Sequence, residues 1–137
     1  MRSARKKTSS NFFMTEYLLD TNVLIYLLKK NPLVIKKLRS LKVSLYSISV
    51  ISYFEFLAGV SDDQVDRAER YLKKFNVISF NEEIAKEAVH FSHSIKKKLK
   101  FKDLVIAATA KKRSKRLITA DRDFRLLKGV EVDYMTM

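Results

Sequence analysis

Short apolar runs alternate along this chain with segments whose apolar residues recur at helical spacing, and that alternation restricts the fold more than any other feature. Tyr17-Leu18-Leu19 reads as a short buried strand ending at Asp20, and Val23 to Lys30 continues as an apolar helix that stops near Asn31-Pro32. A second helix is expected over Leu33 to Leu41 and a strand over Val43 to Tyr46. Ser49 to Gly59 then reads as an apolar helix stopped by its glycine. Asp62 to Phe75 places Val65, Ala68, Tyr71, Leu72 and Phe75 at helical spacing, and Val77 to Phe80 returns to strand. Asn81 caps a helix predicted over Glu82 to Leu99. A basic segment, Lys96 to Lys102, leads into a compact helix, Asp103 to Lys112, and strands Leu117 to Thr119 and Val130 to Val132 close the chain. Strands separated by helices select an α/β domain with a mostly parallel sheet covered on both faces. With only 2 Gly and 1 Pro, a turn-rich all-β fold is disfavoured, and 137 residues suit one core without an internal linker or repeat.

Residues 1–13 carry Arg2, Arg5, Lys6 and Lys7 among serines and threonines, a composition that buries no core face, so a basic tail is expected there and the domain over 14–137. The chain has no cysteine, which excludes disulfides, thiolate zinc sites, iron–sulfur clusters and cysteine nucleophiles, and fits a reducing cytoplasm. Asp20, Thr21 and Asn22 interrupt the longest apolar stretch, and Glu16 and Asp20 break any secretory-signal core, so neither a membrane span nor a signal peptide is expected. The net charge of +13 remains a large surplus without the tail and favours polyanionic partners, nucleic acid foremost.

Two acids terminate predicted strands, Asp20 after Tyr17–Leu19 and Asp121 after Leu117–Thr119, and ligand sites of open parallel sheets form outside such carboxyl ends. Glu55 lies among apolar and aromatic neighbours, where a lone carboxylate would be costly to desolvate. Asp103 opens a helix so apolar that it must be buried, with its N-terminus at the same sheet edge. Carboxylates sharing one pocket raise each other's pKa unless a cation compensates, and hard Mg²⁺ or Mn²⁺ suits oxygen ligands. Such an ion acidifies water, orients phosphate and stabilises a leaving oxygen, the chemistry of phosphodiester hydrolysis. Each acid also has a purely structural alternative. Asp20 and Asp103 could cap helices, Ser52-x-x-Glu55 matches a capping box, and Asp121 could make an Asx-turn before Arg122.

Four blocks in order, Leu18-Leu19-Asp20-Thr21-Asn22, Ile48-Ser49 to Glu55, Asp103 with Ile106-Ala107-Ala108-Thr109-Ala110, and Thr119-Ala120-Asp121-Arg122-Asp123-Phe124, resemble the PIN domain, especially the VapC-type toxins. The resemblance runs from Met14 to Val132. It implies a three-layer α/β/α fold around a central, mostly parallel sheet of four to five strands, and Mg²⁺- or Mn²⁺-dependent endoribonuclease activity. By position it assigns Asp20, Glu55 and Asp103 as core acids, with Asp121 favoured over Asp123 as the fourth. It gives Thr21, Asn22 and Thr119 supporting roles. It also implies a homodimer and a cognate VapB-like antitoxin. The dense lysines before Asp103 depart from the milder approach common in relatives, which puts the substrate choice of this chain in question.

Lys96, Lys98, Lys100 and Lys102 on one side of the Asp103 helix, and Lys112 and Arg113 on the other, are candidates for RNA phosphate contacts; the plain alternative is solvated helix faces. His90 and His93 lack a third ligand and read as surface residues. The aromatic run Tyr53, Phe54 and Phe56 with Leu57 reads as core. Besides a toxin ribonuclease of a type II pair, the residues admit a PIN nuclease of RNA processing or quality control, or a catalytically silent RNA-binding module. Filled acidic positions disfavour the last.

Overall fold

The structure, a computed structural model, describes residues 15–136. The expected tail and the domain start at Met14 lie outside the described residues. Five strands form one sheet in the order β3-β2-β1-β4-β5. They are β1 (Tyr17–Leu19), β2 (Ser47–Ser49), β3 (Asn76–Ile78), β4 (Arg116–Thr119) and β5 (Val132–Tyr134). Every pairing is parallel, with Leu18 opposite both Ser47 and Leu117.

Helices cover both faces. Because strand side chains alternate, Leu18 and Leu117 face one way and Leu19 and Ile118 the other, into two separate cores. The first core takes Ile84, Ala88 and Phe91 of α5 (Glu82–Ser94) and the apolar length of α6 (Phe101–Lys112). The second takes residues of α1 (Thr21–Leu28), α2 (Pro32–Ser40), α3 (Val50–Ala58) and α4 (Val65–Leu72). This is the three-layer α/β/α arrangement with a parallel central sheet. Among the described residues no helix is long and apolar enough to cross a membrane.

Several boundaries differ from expectation, each for a local reason. Strand β2 forms at Ser47–Ser49 rather than over Val43 to Tyr46. Its serines are spoken for: the Ser47 hydroxyl accepts from Asn76 Nδ2 at 3.1 Å, and Ser49 caps α3 by accepting from the Ile51 amide at 3.1 Å. Leu45, apolar in the pattern, is 55% exposed. Residues 62–75 divide into a 3-10 turn, Asp62–Gln64, and α4. Helix α5 stops at Ser94, before the expected Leu99, where the Ser92 and Ser94 hydroxyls donate to the Val89 and Phe91 carbonyls and compete with the helical ladder. Strand β3 ends at Ile78, leaving Phe80 beyond it, and β5 lies two positions later than Val130–Val132.

The order of the strands locates the site. From β1 the chain crosses to β2 on one side, while β4 lies on the other, so connections diverge between β1 and β4. A crevice outside the carboxyl ends of such strands is where ligands bind in open α/β sheets. Helix α6, with residues Val105 to Ala110 all buried, is fixed beneath that crevice by its own packing. Substituting its fully buried Ile106 (Ile106→Ala) should cost about 2–5 kcal/mol, read as a lower urea midpoint with an unchanged slope. A midpoint equal to wild type would show that α6 is not packed in this way.

Candidate active site

Asp20 follows β1 directly and is 5% exposed. A carboxylate this dry requires donors, and it has them. Oδ1 accepts from the Thr21 amide at 2.8 Å and Oδ2 from the Thr119 hydroxyl at 2.7 Å. Thr119 Oγ1 in turn accepts from the Asp121 amide at 3.0 Å. Asp121 makes the Asx-type turn, accepting from the Asp123 amide at 2.9 Å. Its structural role and its place at the crevice therefore coexist.

Asp103 stands in the first turn of α6, but the N-cap is Lys100 and carries no side-chain cap bond, so the capping alternative for Asp103 does not hold. The same is true of the Ser52–Glu55 capping box, because Ser49 caps α3 one turn earlier. Ser52 and Glu55 instead share a helix face at i, i+3 and both address Thr21. Thr21 Oγ1 lies 2.7 Å from Ser52 Oγ and 2.9 Å from Glu55 Oε1. Ser52 is fully buried and is a supporting residue that sequence reasoning missed; its i, i+3 pairing with Glu55 was the available signal.

A cleft of about 330 Å³ opens at this edge. Its acidic side chains are Asp20, Asp103, Asp121 and Asp123, with Asn22 beside them, and its basic wall is Lys97, Lys98, Lys100 and Lys102. Glu55 does not line it. Glu55 stands behind Thr21, with Lys102 Nζ 3.5 Å from its Oε2. Asp123 is engaged by Lys97 at 2.8 Å, whereas Asp121 acts electrostatically on both Asp20 and Asp103. Of the two candidates for the fourth acid, Asp121 is the one coupled to the other acids.

Burial pushes the Asp20 carboxyl above its ordinary range against the lowering hydrogen bonds from Thr119 and Thr21. Asp103 is pushed up to about 6, by burial first and then by Asp20, with Lys102 opposing and Asp121 adding to the rise. A helix N-terminus favours an anion by about 0.3–1 kcal/mol, and here burial and like charge outweigh it. Among the described residues no group of three or more acidic or histidine side chains is placed to hold a metal ion together. The donor set nevertheless fits a hard divalent ion, which retains waters and takes one or two carboxylates, and whose charge would relieve the repulsion that raises Asp103.

The remaining candidates lie away from the acids. Lys96 is exposed in the segment before α6 but does not line the cleft. Lys112 and Arg113 lie at the far end of α6, about 14 Å of helix rise from Asp103, and are not brought to the cleft. Their neighbours there pair with acids, Lys111 with Glu87 at 3.0 Å and Lys115 with Glu16. His90 and His93 are exposed on α5. Of the aromatic run on α3, Phe56 is core, while Phe54 is 68% exposed and Tyr53 donates to Glu69 at 3.3 Å.

A family model described as the PIN domain matches residues 17–130. The chain belongs to the PIN-domain family. Among solved structures, a toxin–antitoxin complex from Klebsiella pneumoniae matches this PIN domain at 31% identity and TM-score 0.76, covering 88% of this chain and 100% of that one. FitAcB from Neisseria gonorrhoeae matches at 26% identity and TM-score 0.70, covering 85% and 95%. VapBC-1 from nontypeable Haemophilus influenzae matches at 25% identity and TM-score 0.76, covering 88% and 98%. No curated protein matches the chain. The resemblance to VapC-type PIN domains read from the four sequence blocks is borne out.

In metal-free protein Asp103 keeps its proton up to about pH 6, while the unfolded chain loses it near pH 4. The native state holds the extra proton in that window, so stability should fall as pH rises from about 4 to about 6 and then level off. Asp103→Asn should flatten this fall and raise the metal-free melting temperature at pH 7 by about 2–4 °C. A variant with the wild-type pH profile would locate the effect in another group.

Proposed function

We propose that this chain is a Mg²⁺- or Mn²⁺-dependent endoribonuclease, the toxin of a type II toxin–antitoxin pair, working as a homodimer in the cytoplasm. One observation carries the reading: Asp20, Asp103 and Asp121, distant in sequence, share a cleft where burial first, and then the neighbouring acids, raise Asp103 to about 6. Such an arrangement costs stability and calls for a cation. Perturbed acids in a cleft mark functional sites more often than structural ones.

Asp20, Asp103 and Asp121 would hold the ion, with Glu55 behind them. A divalent ion so bound supplies Lewis acidity toward phosphoryl oxygen and acidifies water. The chain does the rest. Thr119 and the Thr21 amide hold the Asp20 carboxylate in one orientation. Ser52 and Glu55 fix the Thr21 hydroxyl, and through it the start of α1. Lys98 and Lys100 face the cleft mouth, where they would bind phosphates flanking the scissile one. The toxin assignment draws on the Klebsiella and Haemophilus relatives, which are toxin–antitoxin complexes, and the partner it implies is a small VapB-like antitoxin.

RNA cleavage should require Mg²⁺ or Mn²⁺, stop with EDTA, and fall about 100-fold or more in Asp20→Asn and in Asp103→Asn, by analogy with the loss of one charge-stabilising group. Undiminished cleavage in both variants would remove the mechanism. Replacing Lys98 and Lys100 by alanine should lower the slope of log affinity against log salt by about 0.7 for each single-strand phosphate that is no longer neutralised. An unchanged slope would show that these lysines do not bind the backbone.

A further inference from the structure

Two large aromatic side chains stand in water next to the cleft. Phe101 begins α6 and is 62% exposed, and Phe80, just beyond β3, is 37% exposed. Their rings meet edge to face, with centroids 5.9 Å apart at 73°. The other ring pairs of the described residues, Tyr17–Tyr46, Phe56–Tyr71 and Tyr71–Phe75, have partly or fully buried members. Aromatic pairs prefer this edge-to-face arrangement to a face-to-face sandwich. The contact braces Phe101 while most of that residue stays exposed. Phe101 in particular leaves apolar surface in water that burial would have favoured removing.

The position is specific. Phe101 does not itself line the cleft, but it lies between Lys100 and Lys102, which do, and successive Cα atoms about 3.8 Å apart root it beside the cleft. A second copy of a chain with net charge +13, docked at this rim, would bring lysines against lysines. An unpaired nucleotide offers what the rim lacks: a flat π face for the ring and phosphates for the ammonium groups. In a duplex those faces are already stacked.

We propose that Phe101, braced by Phe80, is a stacking platform for an unpaired base of single-stranded RNA, whose adjoining phosphates follow Lys100 and Lys102 into the acidic cleft. The choice of RNA rests on the ribonuclease reading above. The platform selects single strands over duplexes and tolerates many sequences, since every base presents a π face.

Binding in EDTA, where no cutting occurs, tests the platform apart from catalysis. The probes are a short labelled oligoadenylate, the same strand with abasic sites, and a blunt RNA duplex. Phe101→Ala should weaken oligoadenylate binding about 5- to 30-fold and leave the abasic strand and the duplex unchanged. Phe80→Ala should give a smaller loss of the same kind. Phe101→Trp should retain affinity, and because the chain has no other tryptophan, its emission should be quenched by oligoadenylate but not by the abasic strand. Wild-type affinity in Phe101→Ala, or equal losses on all three probes, would overturn the proposal. So would sedimentation showing that Phe101→Ala splits a dimer while RNA affinity stays the same, which would assign the rings to an interface between copies. If wild type binds in this way yet cuts nothing with Mg²⁺ or Mn²⁺, the platform stands and the nuclease reading falls; cleavage alongside unchanged binding by Phe101→Ala means the reverse.

Discussion

A hydrogen bond from the Thr119 hydroxyl to Asp20 joins the ends of the two central strands at the point where the connections diverge. Much of the site depends on it. Asp20 is almost dry, and a dry carboxylate without donors is expensive. Threonine suits the position because its hydroxyl donates to Asp20 and accepts from the Asp121 amide at once, and because a β-branched residue is stiff in a strand. One side chain therefore fixes the first acid and the turn that presents the last. On the far side of Asp20, Thr21 repeats the device by joining α1 to Ser52 and Glu55 of α3.

The charges fall into two rings. The outer acids, Glu55 and Asp123, each have a lysine, Lys102 from the first turn of α6 and Lys97 from the segment that leads into it. Among the described residues the inner acids, Asp20, Asp103 and Asp121, have no lysine within ion-pair distance, and Lys102 moderates Asp20 and Asp103 only from a distance, with Lys100 adding to its effect on Asp103. Partly exposed ion pairs contribute about 0–1 kcal/mol each, too little to compensate the repulsion at the centre. The conflict is local, while the two cores that flank the sheet are consistently apolar. Proteins that satisfy every other folding rule concentrate such violations where they act.

The sheet centre was legible because β1, β4 and α6 are buried on more than one side and therefore read as apolar runs, the strands ending at acids and the helix opening on one. Strand β2 was not, since serines look like loop in a hydropathy pattern, and only the structure shows which hydroxyl pairs with Asn76 and which caps α3. Ser52 escaped for a related reason: its spacing from Glu55 fits two motifs, and the cap lay one turn earlier. The second basic run reads as flanking the site because Lys112 follows Asp103 closely in sequence. Helical rise carries it to the opposite end of the domain. Lysine–carboxylate partnerships across the cleft have no counterpart in sequence spacing, and neither does the contact between Phe80 and Phe101.

The acids of the cleft come from the ends of β1 and β4 and from the start of α6, segments far apart in the sequence that only the finished sheet brings to one edge. Until β4 has inserted beside β1, Asp20 lacks its Thr119 partner and the crevice has only one wall. The cleft is therefore a late product of folding: its acids can meet only after the sheet has closed around β1, so the conflict of charge they create is imposed on a frame that is already built.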